Sequence, residues 1–196
     1  MRNPLKSLYD WVLHWADTKY GTLALVLVAF SESSFFPIPP DVLLIPLSLS
    51  KPKKAFYYAG LTTLFSVLGA IGGYLIGLWL MDTVGYPILQ FYSATDKFGM
   101  VALYYNKYNA LAVGIAGFTP IPYKVFTIAA GACRINFPIF LIASIVSRGA
   151  RFFIVATLLH FFGAKAKIFI DKHFNLLSLI FAILLIAGFV VIRYIF

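Results

Sequence analysis

Two apolar stretches of the chain are each interrupted by a Pro-Ile-Pro unit, in Phe36-Pro37-Ile38-Pro39-Pro40-Asp41-Val42 and in Thr119-Pro120-Ile121-Pro122-Tyr123-Lys124-Val125. Proline has no backbone N–H, and its ring clashes with the preceding turn, so neither residues 21–50 nor residues 109–133 make a straight helix. Each breaks into two short arms around a proline tip. The arm formed by residues 42–50 is about 13 Å long as a helix, roughly half a bilayer. Arms of that length suit a re-entrant hairpin, whose irregular tip survives at membrane depth only inside protein or beside a wet cavity.

Composition calls for a bilayer. Hydrophobic residues make up 61% of the chain and charged residues 12%. Soluble domains are about one quarter charged, so lipid must act as solvent here. Residues 55–81 form an uninterrupted apolar run, about 40 Å long as a helix and enough to span with tilt. Residues 135–162 form another, which carries Arg148 and Arg151, and residues 174–196 a third, ending near Arg193. Residues 1–20 differ: Leu5, Leu8, Val12 and Trp15 fall on one helical face, and Lys6, Asp10, His14 and Asp17 on the other. That pattern describes an amphipathic interfacial helix, and its charges do not fit the apolar centre of a signal peptide.

Charge placement turns these segments into a topology. If 21–50 is a hairpin, Arg2, Lys6, Lys19, Lys51, Lys53 and Lys54 share one side. Lys165, Lys167 and Lys172 return to that side after two crossings, which the positive-inside rule makes cytoplasmic. The expected fold is an all-α polytopic membrane protein in a single domain: an amphipathic helix, then hairpin plus crossing helix, repeated in inverted topology, then a C-terminal crossing helix. The expected location is the cell (plasma or inner) membrane, multi-pass, with a cytoplasmic N-terminus. The net charge of +9 then reflects membrane orientation and anionic headgroups, with no nucleic-acid partner.

Charged residues inside the bilayer are costly and mark ion or substrate pathways. Five are candidates for substrate or ion binding: Glu32, Asp41, Lys124, Arg148 and Arg151. Asp41 aligns with Lys124 in the two tips, so an acid on one hairpin is expected to meet a base on the other. Pro37, Pro39, Pro40, Pro120 and Pro122 form the tips themselves. Arg148 and Arg151 lie three apart and share a helix face. Lys124 and the arginines suit an anionic phosphate headgroup; Glu32 and Asp41 suit a coupling proton or cation. Ion pairs that merely hold the hairpins in place are the alternative.

Gly69, Gly73 and Gly77 form a small face for close helix approach, within the fold or in a homodimer. His14, His160, His173 and Cys133 show no metal-ligand spacing. No nucleotide-binding or hydrolase motif is present, which points away from an enzyme, from a cofactor and from ATP-driven transport.

The residues resemble the DedA family, also called the VTT-domain or SNARE-associated Golgi protein family, with the YqaA-like branch most similar. The resemblance rests on the proline-rich hairpin preceded by Glu32 and followed by Asp41, and on Gly117-Phe-Thr-Pro-Ile-Pro-Tyr-Lys124 leading to an Ala-Gly pair at Gly131. It covers about residues 20–165. It implies two re-entrant hairpins with crossing helices, and lipid translocation: bacterial members are linked to flipping undecaprenyl phosphate or phosphatidylethanolamine, eukaryotic relatives to scrambling. Glu32 and Asp41 match the family's functional acids, and Lys124 falls near its second arginine. Gly117 stands where many members have the first, which leaves Arg148 or Arg151 to supply that charge. The expected function is therefore a flippase or scramblase for phosphate-headgroup lipids. An ion-coupled small-solute transporter and a non-transporting membrane scaffold are the alternatives.

Overall fold

A computed structural model describes residues 20–36, 38–93, 95–119, 122–163 and 165. The expected helices over 1–20 (Tyr20 apart) and 174–196, with His14, His173 and Arg193, lie outside the described residues, as do Pro37 and Pro120. Among the described residues all regular structure is helical.

The first broken segment gives α1 (Gly21–Ser34) and α2 (Asp41–Ser50). Helix α1 stops where the N–H groups of Phe35 and Phe36 both turn back to the Ser31 carbonyl. Pro40 sits just ahead of α2, where its missing N–H costs nothing, and its carbonyl accepts from Leu43 and Leu44. The second broken segment gives α6 (Asn109–Phe118) and α7 (Tyr123–Ala132), with Pro122 immediately before α7. The two arms of each segment contact one another.

Two helices are long and apolar enough to cross a membrane. One runs from Pro52 to Phe91 and contains α3 (Ala55–Leu80), a π turn over Met81–Gly85 and α4 (Tyr86–Phe91). The widened turn has a local cause: Pro87 has no N–H for the carbonyl four residues back, and its ring crowds that position. The other long helix is α8 (Phe137–Gly163). Between them lies α5 (Thr95–Lys107). Helix thus continues well past residue 81, through a stretch to which the apolar pattern assigns no element. Its aromatic contacts compensate for lower hydropathy: Tyr86 packs edge-on to Phe98, and the Tyr105 hydroxyl donates to the Phe126 carbonyl at 2.8 Å.

Helices α3 and α8 run antiparallel. Near one end Phe56 stacks on Phe153 and meets His160 at a tilt; near the other Tyr74 packs on Phe137 and Phe140. Each end carries its own apolar cluster. Leu25, Leu44 and Leu47 of the first broken segment pack with Ala55, Ala59, Phe152 and Ala156. Val113, Ala116, Tyr123 and Ala130 of the second pack with Ala70, Tyr74 and Phe140.

Glycines on α3 allow the short arms to lie close. A Cβ at Gly69 would sit 2.1 Å from the Phe30 carbonyl oxygen, and one at Gly77 1.9 Å from that of Ile128. The Gly69, Gly73, Gly77 face is therefore occupied inside the fold by α1 and α7. Helix α7 ends in a Schellman motif, with Ile135 N–H donating to Ala130 and Arg134 N–H to Gly131. Arg134 takes the left-handed position (φ 48) where glycine is usual, and its guanidinium pairs with Asp82 of the π turn. That carboxylate raises the Arg134 pKa above its ordinary value.

Candidate functional site

Glu32, Asp41, Arg148 and Arg151 gather about the middle of α8, where the end of α1 meets α7. Ser33, next to last in α1, offers its carbonyl to the Thr127 hydroxyl of α7 at 2.9 Å. Gly73 of α3 lies beneath this contact, and a Cβ there would come within 2.3 Å of Thr127 Oγ1. The two broken segments are thus joined directly.

Arg148 is the largest fully buried side chain among the described residues. Its Nη2 donates to Glu32 Oε2 at 2.6 Å, and its Nε donates to Ser66 Oγ at 2.7 Å. Ser33 Oγ links both partners, 3.1 Å from Glu32 and 2.8 Å from Ser66 Oγ. The rings of Tyr123 and Phe152 each approach the guanidinium, at 4.8 Å from centroid to Cζ. Tyr123 is itself anchored, its hydroxyl donating to Ser144 Oγ at 2.6 Å. One arginine on α8 therefore holds α1, α3 and α7 together. A buried charge survives only when paired and hydrogen-bonded, as this one is.

Arg151, one turn further along α8, serves the tips. Its Nη2 donates to Asp41 Oδ2 at 2.7 Å, and its Nη1 donates to the Thr119 carbonyl at 2.8 Å. Asp41 opens α2 and Thr119 follows α6, so one guanidinium bridges the two breaks. The side chains of Arg151 and Asp41 are 16% and 17% exposed, against 2% and 11% for Arg148 and Glu32.

These pairings correct one expectation. Asp41 binds Arg151, and none of the ion pairs among the described residues involves Lys124. Lys124 is half-buried in the first turn of α7. The equivalence of Asp41 and Lys124 in the two tips says which positions correspond, and corresponding positions need not touch. The acid instead finds a cation on the long helix between the tips. Pro39, Pro40 and Pro122 flank the breaks at the starts of α2 and α7. Sequence reasoning missed Ser33, Ser66, Tyr123 and Thr127. Small hydroxyls in apolar helices carry little hydropathy signal; only their position beside a charged residue, as for Ser33 after Glu32, marks them. Gly117 has a steric reason: a Cβ there would lie 2.2 Å from Ser147 Oγ, so α8 packs where a side chain would otherwise project.

Residues 38–161 match the VTT domain. The chain belongs to the VTT-domain family. The match takes in Asp41, Lys124, Arg148 and Arg151, while Glu32 precedes it. An uncharacterized protein of Haemophilus influenzae is 37% identical over 187 residues, 95% of this chain and 97% of the relative. One from Histophilus somni is 36% identical over 159 residues, covering 81% and 83%. A third, from Methanocaldococcus jannaschii, is 29% identical over 130 residues, covering 66% and 78%. No solved structure matches. Membership of this family and the two long apolar helices make this VTT-domain chain a membrane-type helical protein.

Proposed function

We propose that this VTT-domain protein moves a phosphate-headgroup lipid, a phospholipid or a polyprenyl phosphate, between membrane leaflets. The observation that carries the reading is the Arg151 bridge. A partly exposed guanidinium binds the carboxylate at one helix break and the backbone carbonyl at the other, midway along the long helices. Cationic groups at half depth in an apolar protein fit transit of an anionic headgroup.

The membrane arrangement belongs to the same proposal. Helices α1, α2, α6 and α7 have 14, 10, 10 and 10 residues. At 1.5 Å per residue these reach about 15–21 Å, short of the ~30 Å hydrocarbon core. We read both broken segments as re-entrant hairpins entering from opposite faces. The exchange of partners between the two apolar clusters supports that inverted repeat: the first half of α3 pairs with the second half of α8, and the reverse. We place the protein in the cell membrane with a cytoplasmic N-terminus, as a transporter and not an enzyme. It needs no cofactor in this reading; a proton or cation on the carboxylates would couple movement. A homodimer is compatible, through a surface other than the glycine face.

The test is reconstitution of the full chain in liposomes carrying a fluorescent phospholipid or polyprenyl phosphate, with the outer-leaflet share bleached chemically. Translocation is expected to expose nearly all of the probe to bleaching, and Arg151→Gln is expected to slow it. If bleaching stops at half for every lipid, with and without a proton gradient, the transporter reading is wrong.

A further inference from the structure

We propose that a phosphate oxyanion takes the place of Asp41 on Arg151 while the Glu32–Arg148 pair stays closed. This rests on the lipid-transport reading and adds a division of labour between the two ion pairs. The two arginines differ in how open they are to a competitor. Arg148 has the rings of Tyr123 and Phe152 each 4.8 Å from its guanidinium carbon, and its hydrogen bonds go to Glu32, Ser66 and Ser33. At 2% exposure Arg148 leaves an incoming anion little room to approach, and displacing Glu32 would strand its carboxylate in a buried site.

Arg151 presents a different case. Its described bonds are one to Asp41 and one to Thr119, from two of the five N–H donors a guanidinium carries. Both members of its pair keep some exposure. Phosphate offers the same fork geometry as carboxylate, so it can replace Asp41 without moving the arginine. The Thr119 carbonyl holds the other branch of the fork during the exchange. Charge favours it as well. Glu32 cancels Arg148, and Asp41 cancels Arg151, but Lys124 at the start of α7 has no carboxylate partner among the described residues. The tips therefore carry an excess positive charge that a headgroup can neutralise.

The prediction runs against the usual effect of removing a site residue. Asp41 is a competitor for the anion, so Asp41→Asn should tighten binding. The measurement is titration of the purified full chain in detergent with short-chain phosphatidic acid and, separately, with inorganic phosphate. Asp41→Asn is expected to strengthen phosphatidic acid binding about tenfold, the scale of one charge-assisted hydrogen bond. Arg151→Gln should abolish that binding, and Glu32→Gln should lower thermal stability without strengthening it. Tightening for inorganic phosphate alone would support the exchange and assign it to free phosphate instead of a headgroup.

If the wild-type chain binds phosphatidic acid and Asp41→Asn leaves the affinity unchanged or weakens it, the exchange is wrong and the transport reading stands. If neither anion binds the wild-type chain and no lipid moves in liposomes, both fall. A measurement on the wild-type chain guards against misfolding of the variant. Arginine Nε–H resonances, assigned with Arg151→Lys, should show Arg151 shifting with phosphatidic acid while Arg148 stays fixed. Equal shifts at both arginines would overturn the division of labour.

Discussion

Arg148 and Arg151 stand one turn apart on α8 and would be interchangeable by residue type, by spacing and by helix face. Their surroundings separate them. Arg148 faces the crossing of α1, α3 and α7, where serine hydroxyls and aromatic rings enclose it. Arg151 faces the two helix breaks, where one bond goes to a side chain and one to a backbone carbonyl. In a membrane protein an intramembrane charge can be structural or functional. On the proposed reading the distinction falls between neighbours on one helix, and the deeper burial of Arg148 is what draws it.

The largest effect is expected at the enclosed pair. Arg148→Met leaves the Glu32 carboxylate buried against Ser33 with no cation. Breaking a buried pair in this way costs roughly 3–5 kcal/mol. Thermal unfolding in detergent should show the loss, and Glu32→Met combined with Arg148→Met should recover most of it. A double variant as unstable as the sum of the singles would mean that the pair is not coupled, and the contrast between the arginines would collapse.

A second perturbation reaches the same contrast through the backbone. Gly77→Ala places a Cβ on the Ile128 carbonyl, so α7 must move away from α3. Overpacking of this kind costs about 1–3 kcal/mol. Gly60→Ala has open space around it and should stabilise by up to about 1 kcal/mol through helix propensity alone. Moving α7 should loosen Tyr123 from Arg148 before it disturbs Arg151, because Asp41 and Thr119 both lie off α7. Equal damage to both pairs would show that they form one unit.

Much of this architecture is legible in the sequence, for identifiable reasons. Proline chemistry reads directly as helix breaks before Asp41 and before Tyr123, and long apolar runs read as long helices. The helices Tyr86–Phe91 and Thr95–Lys107 are not legible in the sequence, because Asp82, Asp96 and Lys107 interrupt the hydropathy that marks a crossing segment. Nor is the partner of Asp41. The shared Pro-Ile-Pro units align Asp41 with Lys124, but the contact depends on how α8 passes between the tips, which no local pattern encodes. The pairing of Glu32 with Arg148 spans 116 positions and depends on the same packing.

Arg151→Gln should cost less stability than Arg148→Met, about 1–2 kcal/mol, since Asp41 and Thr119 are only partly buried. Its effect on lipid movement should nevertheless be the greater of the two when each is compared at equal folded protein. Proteoliposomes normalised by folded fraction make that comparison. If Arg148→Met and Arg151→Gln slow translocation equally once folding is accounted for, the functional distinction between them is lost.

The smallest expected effect isolates what Tyr123 contributes to the enclosed pair. Tyr123→Phe removes the hydroxyl that donates to Ser144 but keeps the ring over Arg148. Ser144 Oγ still donates to the Phe140 carbonyl at 2.7 Å, so no donor is stranded. The cost should be about 0.5–1 kcal/mol, that of one neutral hydrogen bond. Tyr123→Leu removes the ring as well, and a desolvated cation–π contact adds up to about 2 kcal/mol. Unfolding temperatures should therefore rank wild type, Tyr123→Phe, Tyr123→Leu. The gap between the last two should narrow when Arg148→Met is already present, because the ring then has no cation to cover and only its packing remains. A gap of unchanged size would assign the role of Tyr123 to filling space in the cluster with Val113, Ala116 and Phe140, leaving Glu32, Ser33 and Ser66 as the groups that hold Arg148.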